Sequence, residues 1–417
     1  MTDIDQIWDN SKQIYQKWGI DSNPFTESIA EIDRLRQVFT GRDNEITSIL
    51  NQLQSANRSR ILIYGDVGIG KTSFIKIMLD LFDRKDPRTL TSYISLPNNT
   101  DLATAAIIAL ARKMPENDWA QALLHHMGLI PDRDPKKEGS TFKFGLGGIG
   151  YEAKSETQGL NKPQIAALSF EDLLDRAFET YDRVIIAIDD LDKQDPSAVK
   201  DLLLNAQGML KGRASFILTG HPSGLTQEIL LSNRGLFDRT QQLTSIDVPT
   251  TKLMLLKYLN SVRIEAKLIT DSDAFYPFSS DAVSVICQRS IGSPRLLNRI
   301  GNYALAEGVA QNLDLIDSEA IERAIVKARK DFRDQFNSQE RLLIDGITNQ
   351  GVLSDSNISL TELQQLGAKS FAELLPVLEE LQRRDLIERL PNDGSISYKL
   401  SPLMLPAEPP QPIDPPT

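Results

Sequence analysis

The residues whose types and spacing best suit chemistry form one short glycine-rich segment. It contains, in order, Gly65, Asp66, Val67, Gly68, Ile69, Gly70, Lys71 and Thr72, followed by Ser73. Glycines let the backbone fold tightly enough for successive N–H groups to point at phosphate oxygens, at the positive end of the following helix. Lys71 adds a charge towards the β and γ phosphates, and the Thr72 hydroxyl can ligate Mg²⁺. The segment predicts a nucleotide site, with ATP and Mg²⁺ as its cofactors.

The chain on either side of this segment has the periodicity that such a loop needs. Residues 60–64 form an apolar run that predicts a buried strand, and residues 73–82 place apolar side chains at helical spacing. A strand, a glycine-rich loop and a helix in succession aim the N–H groups and the helix dipole at the same phosphate. The sequence therefore predicts an α/β fold built on a parallel sheet.

A second apolar run carries carboxylates at its end. Residues 182–192 read DRVIIAIDDLD, and a strand here would deliver Asp189 and Asp190 to the sheet edge where parallel sheets bind ligands. The segment resembles a Walker B motif. This resemblance implies that Asp189 holds the metal through water, and that Asp190 stands where many such ATPases carry the glutamate that orients the attacking water. Aspartate is one methylene shorter than glutamate. A slow, assembly-dependent switch is therefore an alternative to a motor as the kind of ATPase that we expect.

Composition and charge limit the class of protein. The chain has 417 residues, 41% hydrophobic and 25% charged, which suits a globular chain of about two to four domains. Its single cysteine, Cys287, excludes an internal disulfide. A net charge of −11 provides no overall basic field for nucleic acid or anionic membrane. No apolar stretch approaches the roughly 20 residues of a membrane helix and no signal peptide is evident, so we expect no membrane contact and a cytoplasmic location.

The later elements resemble those of AAA+ ATPases. Strands are predicted at residues 92–96, 214–220 and 241–248, and the second of these carries the polar residue Thr219 close to its end. The family places sensor 1 there, a residue that contacts the γ phosphate or the attacking water, although threonine also simply closes many strands. Four helices are then expected, at residues 250–266, 279–289, 293–311 and 318–332.

A sensor 2 motif and a leader strengthen this resemblance, which covers about residues 20–332. Residues 292–299 read GSPRLLNR, which implies that closure of a helical lid carries Arg295 to the γ phosphate; a surface charge is the alternative. Residues 20–26 and 39–46 are similar to the leader of the group around origin-recognition proteins, helicase loaders, TniB and TnsC transposition regulators and ExeA-like ATPases. The similarity implies that Pro24 and Phe25 help to frame the adenine pocket.

Two arginines lie where this family places its arginine finger. Either Arg234 or Arg239 would reach the nucleotide of a neighbouring subunit, so that hydrolysis depends on assembly of a homo-oligomer. Each arginine is equally consistent with a surface charge. Both are therefore retained as candidates.

Two further segments complete the predicted organisation. Apolar and polar side chains alternate in residues 141–154 on both sides of a Gly-Gly pair, which predicts a β-hairpin. Such a hairpin must pack on the core, a neighbouring subunit or a partner. Residues 338–404 predict three helices and a hairpin and resemble a winged helix. The sequence therefore predicts five regions. They are a leader at residues 1–45, a P-loop AAA+ core at 46–249 with a hairpin inserted at 132–163, an all-α lid at 250–333, a winged-helix domain at 334–404 and a disordered proline-rich tail at 405–417.

The charge of the winged helix leaves two functions open. Ten acidic and six basic side chains give this segment a net charge of −4, and Glu373, Glu379 and Glu380 lie on the helix that would approach DNA. Nonspecific DNA affinity depends on neutralised phosphates, so this module alone should bind DNA weakly. One function is ATP-dependent assembly that regulates or loads a DNA-acting partner, such as a helicase, transposase or nuclease. The other is a STAND-like signalling switch that contacts an effector protein, since the aspartate pair is similar to that class too.

Overall fold

The computed structural model describes residues 15–26, 31–96, 100–130, 162–191, 196–220, 236–264, 274–390 and 396–405. The described residues form two compact units. One draws on residues 42–66 and 71–243, and the other on residues 1–41, 67–70 and 244–417. Residues 67–70 of the glycine-rich loop therefore group with the C-terminal part of the chain.

A five-stranded parallel sheet organises the first unit, within the part of the chain that is described. Its strands lie in the order β2-β3-β4-β1-β5 and span β1 Arg60–Gly65, β2 Thr89–Ser95, β3 Arg183–Asp189, β4 Ser215–Gly220 and β5 Arg239–Leu243. The middle strands are nearly continuous apolar runs because helices cover both faces of a parallel sheet. Ser95 pairs with Asp189, and Ile63 pairs with Thr219. The carboxyl ends of four neighbouring strands thus meet at one edge.

Helices surround this sheet and close its core. They are α2 Asp43–Ser55, α3 Lys71–Lys85, α4 Leu102–Arg112, α5 Asp118–His126, α6 Lys162–Phe178, α7 Pro196–Asn205 and α8 Gln207–Leu210; an earlier helix, α1 Ile32–Val38, belongs to the other unit. The Asp101 side chain caps α4 by accepting the Thr104 N–H at 2.9 Å. Helix α4 is apolar all round because it packs on β2 and is itself covered by α6.

Four helices and a short N-terminal segment share a second core. The helices are α9 Val248–Asn260, α10 Ser280–Ser290, α11 Pro294–Ala310 and α12 Ser318–Asp334, and together they are called the four-helix region. Each begins after an Asp or Ser whose side chain accepts a backbone N–H of the first turn. Trp18, Ile20 and Phe25 are buried among these helices.

A winged-helix module follows. It consists of α13 Ser338–Gln350, β6 Val352–Ser354, α14 Leu360–Gln365, α15 Phe371–Arg383, β7 Ile387–Leu390 and β8 Ser397–Leu400. The three strands form an antiparallel sheet in the order β6-β8-β7. Asn337 and Ser359 open α13 and α14 with complete capping boxes. Leu374, Leu378 and Tyr398 are fully buried between helices and sheet.

The predicted fold class is confirmed: a parallel P-loop sheet, a helical region and a C-terminal winged helix are all present. The observed ends of some strands and helices differ from the predicted ends where a capping residue determines them. The last core strand ends at Leu243, because Asp247 caps a helix that begins at Val248. Strand β6 was not predicted, since three residues carry no readable alternation. The hairpin predicted at residues 141–154, the tail from residue 406 and the wing turn lie outside the described residues.

Across the described ranges, none of the helices combines the length and apolar character that spanning a membrane requires.

Candidate nucleotide site

The glycine-rich loop joins β1 to α3. Gly65 ends the strand and Lys71 is the first residue of the helix, as the motif requires. Gly68 and Gly70 have φ angles of 79° and 98°, a backbone region that side chains with a Cβ rarely adopt. A Cβ on Gly68 would also lie 2.8 Å from the Cβ of Arg295. The backbone therefore requires glycine at both positions, and at Gly68 the available space requires it as well.

The first turn of α3 presents a cation and a hydroxyl. The Lys71 ammonium donates to the backbone carbonyls of Gly65 at 2.8 Å and Asp66 at 3.1 Å, which holds it over the loop. The Thr72 hydroxyl donates to Asp189 Oδ2 at 2.5 Å. Phosphate oxygens can replace the carbonyls as acceptors for Lys71, with the gain of a charge-assisted bond.

Asp189, at the end of β3, is the centre of a buried network. Its side chain is 1% exposed. Oδ2 accepts from Thr72 and, at 3.0 Å, from the Tyr93 hydroxyl; Oδ1 accepts from the Thr219 hydroxyl and, at 3.0 Å, from the Asp190 N–H. A carboxylate that receives this many donors is held in one orientation. The network joins the two sequence motifs that were predicted to cooperate.

The oxygen donors at this point fit magnesium. Hydroxyl and carboxylate oxygens are the hard ligands that Mg²⁺ prefers, and the ion usually keeps several waters. Thr72 would bind the ion directly, whereas Asp189, whose oxygens already accept protein donors, would hold it through water. Bound Mg²⁺ would neutralise charge on the ATP phosphates.

Asp190 adopts a constrained conformation next to this network. Its φ is 66°, in the left-handed region, where aspartate is tolerated better than most residues. Its N–H lies 3.0 Å from Asp189 Oδ1 and 3.1 Å from Thr219 Oγ1, and the Ser95 hydroxyl donates to its carboxylate at 2.5 Å. The carboxylate is thus positioned by a neighbouring strand.

Thr219 lies in the same network, but not at its surface. Its side chain is fully buried, and its hydroxyl donates to Asp189 while accepting the Asp190 N–H. This arrangement positions the two carboxylates and makes contact with a phosphate indirect. The role predicted for Thr219 as a direct sensor stays a prediction.

Two residues of β2, Tyr93 and Ser95, were missed by sequence reasoning. Tyr93 donates to Asp189, and burial together with the Asp189 charge raises the pKa of its hydroxyl. The Lys76 ammonium lies 5.5 Å from the centre of its ring. A signal was present: residues two apart on one strand share a face, and β2 ends at the same edge as β3.

We expect Tyr93→Phe to raise the Mg²⁺ concentration needed for half-maximal ATP hydrolysis by about tenfold, because Asp189 loses one of the groups that orient it. The raised pKa favours the protonated hydroxyl, so the bond is intact below the ordinary value of 10.0 and weakens only as the pH rises beyond it. The defect should therefore be constant between about pH 6 and 9. Tyr64→Phe on β1 is the matched control, and equal magnesium titrations of the two variants would contradict this role.

Arg295 lies at the start of α11. Its backbone N–H donates to the Gly68 carbonyl at 3.3 Å, so it contacts the glycine-rich loop. Ser293 caps the helix, and Pro294 occupies its first position. The guanidinium donates to the Arg383 carbonyl at 3.1 Å and lies 3.9 Å from Asp385. The motif spacing thus brings Arg295 to the loop, while its side chain turns to the winged-helix module.

Among the described residues, the remaining candidates take part in other contacts. Pro24 and Phe25 are buried, and the Phe25 ring packs against Tyr258 and Phe278 in the four-helix core. Arg239 begins β5 beside Ile61, towards the opposite edge of the sheet from Asp189. It lines a polar groove of 450 Å³ with side chains of α2. Arg234 lies outside the described residues.

Comparison with known proteins adds a family and several solved structures. Residues 38–210 match the family model described as AAA ATPase domain. Cdc6p from Pyrobaculum aerophilum is 15% identical, with 92% of this chain and 95% of that chain covered and a TM-score of 0.48. The Aeropyrum pernix Orc1 protein in complex with DNA is 13% identical, with coverages of 92% and 93% and a TM-score of 0.47. The Thermotoga maritima RuvB Holliday junction branch migration motor is 15% identical, with coverages of 90% and 95% and a TM-score of 0.43. No curated protein matches the chain.

Proposed function

We propose that the protein binds and slowly hydrolyses Mg·ATP, because residues 38–210 match the family model described as AAA ATPase domain. We further propose that its nucleotide state controls assembly with copies of itself, and that the assembly regulates or loads a DNA-acting partner. The observation that supports the ATPase most directly is the buried Asp189 carboxylate, which joins Thr72 of the phosphate loop to Thr219 of β4.

The residues have separate roles in this proposal. Backbone N–H groups of residues 65–73 and the Lys71 ammonium bind phosphates, with Thr72 and Asp189 on the metal. Asp190 orients the attacking water and accepts its proton. Arg295 compensates charge on the γ phosphate. Pro24 and Phe25 are buried in the four-helix core, and from there they support the segment that is proposed to frame the adenine.

Slow turnover is supported by the state of Asp190. Its side chain is one methylene shorter than the glutamate of related Walker B motifs, and its carboxylate is engaged by Ser95 at 2.5 Å. A short carboxylate whose orientation is fixed by Ser95 reaches the attacking water less readily than a glutamate would. This favours a switch that persists in its ATP state over a motor.

Dependence on assembly is supported by the position of Arg239. Arg239 begins β5 and pairs with Ile61, near the start of β1. The phosphate loop follows the other end of β1, after Gly65. Arg239 thus starts at the opposite end of the sheet from its own phosphate loop, and we propose that it reaches the nucleotide of a neighbouring subunit instead. Arg234 stays an alternative finger on sequence grounds alone.

A STAND-like signalling switch is the second candidate, and the winged-helix charges favour it. Arg384 pairs with Glu340 at 2.8 Å, Arg383 with Glu380 at 3.0 Å and Lys399 with Glu388 at 3.2 Å. Basic side chains already paired with carboxylates neutralise fewer DNA phosphates. In this second proposal the module therefore contacts a protein surface, which an effector would provide.

Mass photometry with a non-hydrolysable ATP analogue distinguishes the two candidates. ATP-dependent oligomers that form only with duplex or single-stranded DNA would support the DNA-acting assembly. Oligomers that ignore DNA and require a protein trigger would favour the signalling switch. The Lys71→Ala variant should remain monomeric under every condition, and its assembly with analogue would contradict nucleotide control.

A further inference from the structure

The C-terminal end of α15 receives two arginines from α11. Arg295 Nη1 donates to the Arg383 carbonyl at 3.1 Å, and Arg299 Nη1 donates to the Arg384 carbonyl at 2.5 Å. The last carbonyls of a helix have no acceptor role within the helix and carry the negative end of its dipole. This helix end is therefore a binding site for cations, called the receptor below. Arg295, the proposed sensor arginine, is one of the two cations that it binds.

Asp385 adds a carboxylate to this receptor. It follows the cap of α15 with a φ of 56°, at the position where helices usually carry glycine. Its N–H donates to the Gln382 carbonyl, and the Leu386 N–H donates to the Leu381 carbonyl, so the turn is complete. Its carboxylate lies 3.5 Å from Arg299 and 3.9 Å from Arg295. The two arginines offset the conformational cost of aspartate at this position.

The two arginines differ in how firmly they are held. The Arg299 side chain is 7% exposed and stacks on Phe332, with 5.1 Å between guanidinium and ring centre. The Arg295 side chain is 38% exposed, and its backbone N–H contacts Gly68 of the phosphate loop. Arg299 is thus an anchor, whereas Arg295 can leave the receptor.

Other contacts hold the winged-helix module on the four-helix region. The Arg329 guanidinium donates to the Leu403 carbonyl at 3.0 Å, and the Leu403 side chain is buried in the four-helix core. Phe332 packs against the cores of both parts. Release of Arg295 from Asp385 therefore does not require the module to separate.

We propose that Asp385 is a positioning residue for Arg295: with the end of α15 it holds the sensor guanidinium on the winged-helix module and restrains it from the nucleotide. The inference rests on the proposed function, because it concerns regulation of the same site. A phosphate must compete with Asp385 for this guanidinium, so the contact lowers affinity for ATP in the resting chain.

The test is a double-mutant cycle on the full chain, read as KM and kcat for ATP hydrolysis. Asp385→Asn should lower KM for ATP by about three- to tenfold in the natural background and leave it unchanged in an Arg295→Ala background. Asparagine and glycine both tolerate a positive φ, so Asp385→Gly provides a second variant that keeps the turn. Asp345→Asn is the matched control, because it breaks the Arg333–Asp345 pair, 3.4 Å, which also links α12 to the module but does not touch Arg295.

Each outcome decides one point. An equal fall in KM in both backgrounds would mean that Asp385 acts through packing, which overturns the inference. Unchanged KM in both Asp385 variants, while the natural protein hydrolyses ATP, would overturn the inference and leave the proposed function standing. Failure of the natural protein to bind Mg·ATP would overturn the proposed function, and the inference with it.

Discussion

Replacement of Lys71 by alanine should abolish measurable ATP binding and lower turnover by at least about 100-fold. The ammonium is the side-chain cation at the first turn of α3, held over the loop by the Gly65 and Asp66 carbonyls. Without it, the loop keeps its N–H groups but loses the charge proposed to meet the β and γ phosphates. Isothermal titration with Mg·ATP gives the affinity, and phosphate release gives the turnover.

Lys85→Ala is the matched control for this substitution. Lys85 lies on the last turn of the same helix and is exposed, so the variant removes an equal charge away from the loop. Its affinity should equal that of the natural protein. If Lys71→Ala bound ATP as tightly as the control does, the glycine-rich loop would not be the nucleotide site.

The sequence was sufficient to predict the strand, glycine-rich loop and helix and the position of Asp189 at a strand end, because both depend on local patterns. Glycine spacing fixes the loop between β1 and α3, and an apolar run followed by Asp189 fixes the end of β3. The sheet edge then follows from parallel pairing, which brings strand ends together. Fold class could be predicted for the same reason.

What the sequence could not provide were contacts that depend on the packing of distant elements. The Arg295 motif was recognisable, yet nothing near it in the chain indicates that its guanidinium reaches Arg383 and Asp385. Thr219 was predicted as a sensor because it ends a strand, but its full burial against Asp189 depends on the register of three strands. Capping likewise determines where α9 begins. Helix starts at neighbouring positions differ little in free energy, so the sequence alone does not identify the one that forms.

Asp190→Asn should retain ATP affinity, lower turnover by about 100-fold and prolong the assembled state. Asparagine has the shape of aspartate and tolerates the left-handed backbone at φ 66°. Its amide oxygen can still accept the Ser95 hydroxyl, but an amide cannot take a proton from the attacking water. Binding and geometry are thus preserved while the proposed base is removed, which separates hydrolysis from nucleotide capture.

Single-turnover hydrolysis and mass photometry with ATP measure the two halves of this expectation. Asp182→Asn is a suitable control, because Asp182 precedes the same strand and pairs with Arg88 at 2.5 Å on the surface. That variant should hydrolyse ATP normally and disassemble as the nucleotide is consumed. Undiminished turnover in Asp190→Asn would mean that another group orients the water; the Ser95 hydroxyl, which already contacts this carboxylate, would then be the next group to replace.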